Sequence, residues 1–374
     1  MRSALRSRQQ QCETSGSIPD ATHRDFLEAG LYRILQPRCY GGYEFGIPDF
    51  VRVLIEIARG CTDSGWVLSL IAAQPASVMC LFPGATQREV YGDSGDARIA
   101  SVVAPRGSAV VTTDGYRVSG EWDYCTGCNI ATHFLGNAAL LHPLTGSPYG
   151  NVCVLLTRDE FEIVDNWNMI GMQGTGSRRV VVREQTIPAH RVLPLTGSQW
   201  RKPGPQPGHA VHSNPLYQGS PLAVPEFAMD AVAVGAARGA LDAFEDILKK
   251  DWNLPPYSPR REMPEFQQIF GTALALVDTA EAALLGLAER CAGLKDGEAL
   301  RRIHRAGAQC IELAWQATDL IFRSAGTSAA SAQSPLGRHF RGLAVLRTHL
   351  AAQSDHKSVN VARLHFDLPA ANTL

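Results

Sequence analysis

The sequence predicts an α+β fold in three parts: a helical segment, a β-rich segment and a longer helical segment. Two changes of period define the parts. Apolar residues recur three and four apart from Asp20 to about Gly95, alternate between Arg98 and about Val192, and return to helical spacing after Pro225, which divides the chain into residues 1–95, 96–200 and 201–374. The 374 residues, 45% of them hydrophobic, can supply a full core. We predict three domains with these bounds.

The first 95 residues show helical spacing. DFLEAGLYRIL and FVRVLIEIARG are separated by the turn-forming CYGGYEFGIPD. The most apolar stretch, Trp66 to Phe82, contains Gln74 and Pro75 and falls short of the roughly 20 apolar residues that a membrane span requires. We predict that it forms a buried helix in an N-terminal helical domain.

Residues 96–200 contain β-branched runs separated by turn residues. The runs are ARIASVV, AVVTTDGYRVSGEW, NVCVLLT and RRVVVREQTI. Asp114-Gly115 lies between VVTT and YRVSG and is a strong hairpin signal. The pattern predicts a small antiparallel barrel or sandwich. Gln199 to Pro225, rich in proline and glycine, predicts a long connecting loop.

Helical spacing returns after Pro225 and continues almost to the end. Four alanine- and leucine-rich segments have the length of bundle helices. They are EFAMDAVAVGAARGALDAFEDILKK, PEFQQIFGTALALVDTAEAALLGLAERCAGL, EALRRIHRAGAQCIELAWQATDLIFRSAG and SPLGRHFRGLAVLRTHLAAQ. They predict a C-terminal four-helix bundle.

Charge and cysteine usage exclude several classes of protein. Lysine plus arginine number 35 and aspartate plus glutamate 36, so no overall field attracts nucleic acid or an acidic membrane. The first residues carry positive charges without the apolar run of a secretory signal. The nine cysteines have no repeated spacing, which is typical of reduced core thiols. We expect a cytoplasmic protein that binds neither nucleic acid nor membranes.

The pair Cys125-Thr-Gly-Cys128 allows three interpretations. A structural zinc site normally needs four ligands, and the chain offers one such pair without a histidine-rich partner, so we expect no metal site. A thioredoxin-type dithiol begins a helix in a βαβ unit, whereas this pair follows a β hairpin. Incidental cysteines are favoured, and a redox role stays open.

Two other features are candidates for ligand binding or catalysis. Gly174-Thr-Gly176 resembles the start of a dinucleotide fingerprint, but the third glycine is missing and a strand follows. The stretch is either a tight turn or a site that presents the hydroxyls of Thr175 and Ser177 to a polar planar ligand. His349, in LRTHLAAQ late in the last predicted helix, is either a surface or core histidine or a catalytic one.

The three-part order and four motifs together resemble the acyl-CoA dehydrogenase fold. The closer resemblance is to the group D flavin-dependent monooxygenases built on that fold, the oxygenase components of two-component aromatic hydroxylases. It runs over nearly the whole chain, and the third motif below is the most specific. The motifs are GLYRILQPRCYGGYE with GCTDSGWVL, DGYRVSGEWDYCTGC, DNWNMIGMQGTGSRRVVVREQTIPAHRV and SAGTSAASAQSPLGRHFRGLAVLRTH.

The resemblance implies roles for particular residues. Thr126 would hydrogen-bond near flavin N5, and His349 matches a helical histidine beside the substrate oxygen in phenol-hydroxylating members, so both are implied to be catalytic. Arg338 falls where the family keeps an arginine in its flavin-binding region. The implied flavin-binding residues are Trp122, Tyr124, Thr126, Gly127, Thr175, Gly176, Ser177 and Arg338.

The resemblance also implies the reaction. Reduced flavin, FMNH2 or FADH2, would come from a separate NAD(P)H flavin reductase and react with molecular oxygen to give a C4a-hydroperoxide that hydroxylates a phenolic or polycyclic small molecule. A neutral histidine at position 349 would deprotonate or orient this substrate. N- or S-oxygenation is an alternative within the same fold. A homotetramer is implied as well.

An acyl-CoA dehydrogenase needs a carboxylate base, which the family carries in a C-terminal Tyr-Glu-Gly segment or in the first bundle helix. The tail HKSVNVARLHFDLPAANTL lacks such a segment, and the helix position corresponds to Ala228. Arg341-Gly342 also replaces a usual Arg-Asp, and Gln74 replaces a histidine of many hydroxylases. We expect a monooxygenase with its own substrate pocket; a dehydrogenase and a flavin-free scaffold are the alternatives.

Overall fold

A computed structural model describes residues 1–92, 94–195, 206–250, 259–292 and 298–369. The α-helices within these ranges are α1 (Arg2–Ser7), α2 (Gln9–Ser15), α3 (Asp20–Glu28), α4 (Ile47–Gly60), α5 (Thr62–Leu81), α6 (Gly84–Tyr91), α7 (Ala223–Lys249), α8 (Pro264–Cys291), α9 (Glu298–Ser324), α10 (Pro335–Leu346) and α11 (Ser354–His365). The β-strands are β1 (Ile99–Thr112), β2 (Gly115–Cys125), β3 (His133–Leu141), β4 (Pro148–Thr157), β5 (Glu162–Val164), β6 (Arg178–Ile187) and β7 (Val192–Leu195).

The strands form one open sheet, not the predicted antiparallel barrel or sandwich. Their order is β5-β6-β2-β1-β3-β4-β7, and β1 and β3 run parallel while the other neighbours are antiparallel. A barrel requires its first and last strands to pair. Here the edge strands β5 and β7 have only three and four residues and lie at opposite ends of the sheet.

The hairpin predicted at Asp114-Gly115 is confirmed. Thr112 of β1 pairs with Gly115 of β2, and Gly115 has a φ of 137°, which a residue with a Cβ rarely adopts. ARIASVV and AVVTT belong to one long strand, β1, rather than two. The predicted loop from Gln199 to Pro225 lies partly outside the described residues; its described part contains two short 3-10 turns before α7.

The predicted buried helix is α5. It is long and apolar enough to cross a membrane, and 94% of its most apolar window is buried inside the fold. It packs against α4, α7 and β1, so it joins the helices to the sheet. The helix α8 is also long and apolar enough to cross a membrane, but only 22% of its most apolar stretch is buried inside the fold.

The C-terminal part differs from the predicted bundle. The first three long segments form α7, α8 and α9, but the fourth stops at Leu346, and the chain turns before α11. His349 therefore lies in the connection and not in a helix, because its backbone is extended. Since α7 also packs on α4 and α5, a separate four-helix bundle is not confirmed. The domain bounds remain predictions.

Asp230 in α7 is a buried acid with no hydrogen-bond partner on either oxygen among the described residues. Its Oδ2 faces Gly307 of α9, where an added Cβ would lie 1.9 Å from the oxygen. Burial is the main cause that raises the pKa of Asp230 to about 8, against a smaller lowering by Lys357. The folded protein therefore keeps this carboxyl mostly protonated near pH 7.

We predict that Asp230→Asn makes the protein progressively more stable than wild type as pH rises from about 4 to about 8. The wild-type folded state retains a proton that the unfolded state releases in this window. Its free energy of unfolding should therefore fall by up to about 1.4 kcal/mol per pH unit relative to the variant. Urea unfolding at pH 5 and pH 7.5 measures the difference. Asp114→Asn, at an exposed turn, is the control, and an Asp230→Asn difference independent of pH would contradict the prediction.

Candidate active site

One indole and three hydroxyls form a continuous chain of hydrogen bonds, which we call the hydroxyl chain (Trp66, Thr126, Ser177 and Thr175). Trp66 of α5 donates its Nε1–H to Thr126 Oγ1 at 3.1 Å. The hydroxyl oxygens of Thr126 and Ser177 lie 2.7 Å apart, and those of Ser177 and Thr175 lie 2.8 Å apart. Thr175 Oγ1 donates to the carbonyl of Met172 at 2.9 Å. All four side chains are buried.

The two ends of the hydroxyl chain determine its direction. An indole N–H can only donate and a carbonyl can only accept, while each hydroxyl has one proton to give. The proton of Thr175 goes to Met172, so Ser177 donates to Thr175 and Thr126 donates to Ser177. Every proton is then used. The hydroxyls have only unused lone pairs left, so they can accept a hydrogen bond from a ligand N–H but cannot donate one.

Left-handed backbone brings the two segments of the chain together. Tyr124, near the end of β2, has a φ of 64°, and Gly127, just after β2, has a φ of 73°; before β6, Met172 has a φ of 54° and Gly176 a φ of 53°. An added Cβ at Gly127 would lie 2.9 Å from Ile71 of α5, so glycine permits close packing there. These turns place Thr126 and Ser177 side by side under α5.

Trp122 does not lie at this site, which corrects the role implied by the resemblance. The indole has no accessible surface; its Nε1 donates to the carbonyl of Asn137 at 2.8 Å, and its ring packs against Phe134. A side chain without exposed surface offers no face to a ligand. The pairing of β2 with β6 shifts between Trp122 and Cys125, so the alternation that would give Trp122 and Tyr124 the same environment is broken.

Tyr124 is the exposed aromatic residue of this segment. It is 68% exposed, and its ring meets the ring of Trp167 edge to face, with centroids 5.9 Å apart. Trp167 Nε1 donates to the carbonyl of Met172 at 3.0 Å, the same carbonyl that accepts from Thr175. Tyr124 therefore lies at the solvent-exposed side of the turn that contains Met172 and Thr175.

A partly buried carboxylate supports the turn of residues 174–177. Asp63 in the first turn of α5 accepts a hydrogen bond from the backbone N–H of Gly174 at 2.8 Å. Burial is the main cause that raises the pKa of Asp63 to about 6. The guanidinium of Arg338 also lies near this carboxylate, but its Nε donates to Glu13 at 2.9 Å. Any bond from Arg338 to a flavin would use its remaining N–H groups.

The indole of Trp66, whose Nε1–H bonds Thr126, also contacts the ring of His349. The centroids of the two rings are 5.8 Å apart and the ring planes meet at 67°. His349 is exposed, yet the protein around it lowers its pKa through desolvation. Trp66 thus joins the two residues implied to be catalytic, one through its N–H and one through its ring.

A backbone hydrogen bond determines which nitrogen of His349 carries the proton. The N–H of Ala351 donates to Nδ1 at 3.2 Å and starts the short turn Leu350–Ala352. Because Nδ1 accepts, the neutral imidazole carries its hydrogen on Nε2. A hydrogen on Nδ1 would point at the N–H of Ala351, and two donors repel each other. The neutral imidazole can therefore donate a hydrogen bond from Nε2, while its lone pair at Nδ1 is engaged by Ala351.

An ion pair lies near His349. Lys357 of α11 forms an ion pair with Glu226 of α7, and His304 of α9 lies 3.4 Å from the other oxygen of Glu226. Glu226 raises and Lys357 lowers the pKa of His349, each by less than burial lowers it. Desolvation is thus the main influence, and it favours the neutral imidazole.

Trp66, Asp63 and Trp167 were not predicted as site residues from the sequence motifs. Trp66 lies in the motif GCTDSGWVL, but only the fold brings its indole to Thr126. Gln74, which replaces a histidine of many hydroxylases, donates to Ser101 at 2.8 Å and is buried. One of the two amide protons of Gln74 is therefore already hydrogen bonded within the protein.

Comparisons with known proteins show which family this chain resembles. Residues 227–354 match the family model of the acyl-CoA dehydrogenase C-terminal domain. The chain is 30% identical to the flavin-dependent monooxygenase oxygenase subunit HsaA of Rhodococcus jostii, covering 99% of this chain and 97% of the relative. It is also 30% identical to the oxygenase component of an FADH(2)-dependent resorcinol hydroxylase of Rhizobium, over 65% of this chain and 58% of the relative.

A solved structure shows the same fold. The crystal structure of 3-HSA hydroxylase from Rhodococcus has a TM-score of 0.90 and 29% sequence identity, and the match covers 99% of this chain and 96% of that one. The similarity therefore includes all three parts of the chain.

We predict that Thr126→Val destabilises the protein by about 1–3 kcal/mol, because it leaves the buried N–H of Trp66 without an acceptor. Thr126→Ser retains the oxygen and is the matched control; it should lose less than about 1 kcal/mol, for the missing methyl group. Urea unfolding gives both values. Equal stability of the valine variant and wild type would show that the Trp66 bond contributes nothing.

Proposed function

The chain belongs to the oxygenase subunits of two-component flavin-dependent monooxygenases, and from this premise we propose that it hydroxylates a phenol bound beside His349, whose ring contacts that of Trp66. The observation that carries the proposal is the complementarity of the two parts of the site. The hydroxyl chain offers lone pairs, and His349, which contacts the same indole, offers an N–H.

The hydroxyl chain suits a reduced flavin. The N5 atom of reduced flavin carries a hydrogen, whereas N5 of oxidised flavin is an acceptor, and the hydroxyls have only acceptor capacity left. Thr126 would accept from N5–H, and Thr175, Gly176 and Ser177 would hold the ring with Tyr124 and Gly127 beside it. When bound, the cofactor supplies the electrons that activate molecular oxygen for insertion into the aromatic ring. Neither FMN nor FAD is preferred by these contacts.

His349 would orient the substrate. Its Nε2–H can donate to the oxygen of a phenol, and this bond is strongest when the oxygen is ionised. A phenolate ring is richer in electrons than a phenol ring and is the better acceptor of an electrophilic oxygen atom. The imidazole would therefore raise reactivity by favouring the phenolate, while the proton leaves to solvent before binding.

We also propose a cytoplasmic homotetramer. In the single chain, the helix α8 exposes apolar side chains along one side, which we call the α8 outer face (Leu274, Ala275, Ala282 and Ala283). Exposed apolar surface of this length on a helix is typical of a subunit interface. Subunits that meet at the α8 outer face would cover the most apolar stretch of α8, which is mostly exposed in the single chain.

We expect the purified protein, supplied with reduced flavin by a separate reductase in air, to add one oxygen atom to phenols, as detected by mass spectrometry. The dependence of kcat/KM on pH should follow the pKa of each phenol, because His349 selects the phenolate. His349→Ala should lower kcat/KM by about tenfold to a hundredfold, the effect of a hydrogen bond to a charged group.

His349→Gln is the matched control, since an amide can still donate, and it should recover part of the loss. If His349 instead acted as a base, all phenols would share one pH limb at the pKa of the histidine, below 6.5. That result would contradict the donor role. Absence of oxygen incorporation with every phenol would contradict the substrate class.

For the assembly, we predict that Ala275→Glu converts the tetramer to smaller species in sedimentation experiments, because it buries a charge in the α8 outer face. Leu144→Glu, at a leucine that is 91% exposed in the β3–β4 connection, should leave the tetramer intact. A monomeric wild type, or a tetrameric Ala275→Glu variant, would contradict the proposed interface.

A further inference from the structure

Trp167 contributes a second indole to the site, at the Met172 end of the hydroxyl chain. Its Nε1 donates to the carbonyl of Met172 at 3.0 Å, and the hydroxyl of Thr175 donates to the same carbonyl at 2.9 Å. A carbonyl oxygen can accept from more than one donor because it has two lone pairs. Trp167 is therefore fixed to the atom at which the hydroxyl chain ends.

The ring of Trp167 contacts the exposed ring of Tyr124. The two ring planes meet at 89°, with the centroids 5.9 Å apart, which is a favourable edge-to-face arrangement. Within the described part of the chain, Trp167 is the only aromatic residue whose ring contacts that of Tyr124. Tyr124 has a φ of 64°, and a left-handed residue with a large side chain persists only where its surroundings hold it. The contact with Trp167 is part of those surroundings.

A hydrogen-bonded network determines the spacing of the two aromatic residues. Asn166 Nδ2 donates to Asp123 Oδ1 at 2.8 Å. Arg179 bonds both partners: its backbone N–H donates to Asn166 Oδ1 at 2.9 Å, and its Nε donates to Asp123 Oδ1 at 2.8 Å. Asp123 and Asn166 immediately precede the two aromatic residues in the sequence. The network therefore holds the backbones of Tyr124 and Trp167 at a fixed separation.

We propose that Trp167 is a positioning residue for reduced flavin: its ring holds the ring of Tyr124 in the orientation that contacts the bound isoalloxazine, and it acts on the flavin only through Tyr124. The inference rests on the proposed function, in which Tyr124 lies beside the flavin ring. A side chain that is already held in its bound orientation loses little conformational freedom when the ligand binds. A tyrosine that rotates freely at position 124 would lose that freedom, and the affinity for flavin would fall.

A purely structural role of Trp167 makes a different prediction. In that role the indole N–H would stabilise the turn of residues 172–177 through Met172, and the ring would be dispensable. The variant Trp167→Phe keeps a ring beside Tyr124 but loses the N–H, whereas Trp167→Leu loses both. The two variants therefore separate the action of the ring from the action of the N–H.

The first experiment titrates reduced FMN, and separately reduced FAD, into the flavin-free protein without oxygen. For whichever flavin binds the wild type, Trp167→Leu should raise the dissociation constant about threefold to tenfold, the effect of one aromatic pair. Trp167→Phe should stay within about twofold of the wild type, because the edge-to-face contact can still form.

A double-mutant cycle tests whether Trp167 acts through Tyr124. In a Tyr124→Leu background, adding Trp167→Leu should change the dissociation constant by less than about twofold, because the partner ring is already absent. Tyr124→Phe keeps the ring and should bind like the wild type. Tyr149→Leu is the matched control, since Tyr149 of β4 is 57% exposed and its ring also meets a neighbouring ring, that of His142. It should leave flavin affinity unchanged.

The second experiment needs no flavin. In protein labelled with 3-fluorotyrosine, the fluorine resonance of Tyr124 is assigned by its absence from Tyr124→Phe. The ring current of Trp167 should displace this resonance in the wild type. In Trp167→Leu the resonance should move to the position of the free amino acid and narrow, while in Trp167→Phe it should stay displaced.

Equal losses of affinity in Trp167→Phe and Trp167→Leu would overturn the proposal, and so would a full effect of Trp167→Leu in the Tyr124→Leu background. A wild-type Tyr124 resonance already at the free position would also overturn it. If the wild type binds no reduced flavin, the proposed function fails, while the fluorine spectra still decide whether Trp167 holds Tyr124 in place.

Discussion

The hydrogen bond from the indole of Trp66 to the hydroxyl of Thr126 is the contact on which the site depends. It connects α5 of the helical part to the turn after β2 and establishes the direction of the hydroxyl chain. A donor at one end and a carbonyl at the other leave three buried hydroxyls with a single arrangement of protons. A buried polar group without a partner costs free energy, so this arrangement resists reversal. The chemistry that the site can offer a ligand is therefore determined before any ligand binds.

Much of the fold was predictable because the change from helical to strand spacing is a local property. The helical segments, the hairpin at Asp114-Gly115 and the buried α5 follow from short patterns. Whether the sheet closes into a barrel does not follow from such patterns, because closure depends on which edge strands pair. The parallel pairing of β1 with β3 is also a non-local feature, since β2 lies between these strands in the sequence. The same limit applies to α10, which stops at Leu346 because the next residues make a capped turn.

The site was predictable in part, through the resemblance of its motifs. Thr126, Thr175 and Ser177 come together, and Trp66 connects them with His349. Trp122 was misplaced because simple alternation along β2 gives no sign of the irregular pairing that separates it from Tyr124. Trp66 was missed because an indole in an apolar helix has the same pattern whether it packs in the core or donates to a hydroxyl.

The position of His349 outside the helix is what gives it a defined role. Within an α-helix, the backbone N–H two residues ahead bonds to the carbonyl four residues before it, and is not free to bond a side chain. At the end of α10 the chain is extended, and the N–H of Ala351 is free to bond Nδ1. The imidazole is then left with one hydrogen, on Nε2. The turn that ends α10 thus leaves the neutral His349 a donor at Nε2, whereas the buried hydroxyls can only accept. In the function that we propose, the hydroxyls meet a reduced ring and the histidine meets an anionic oxygen.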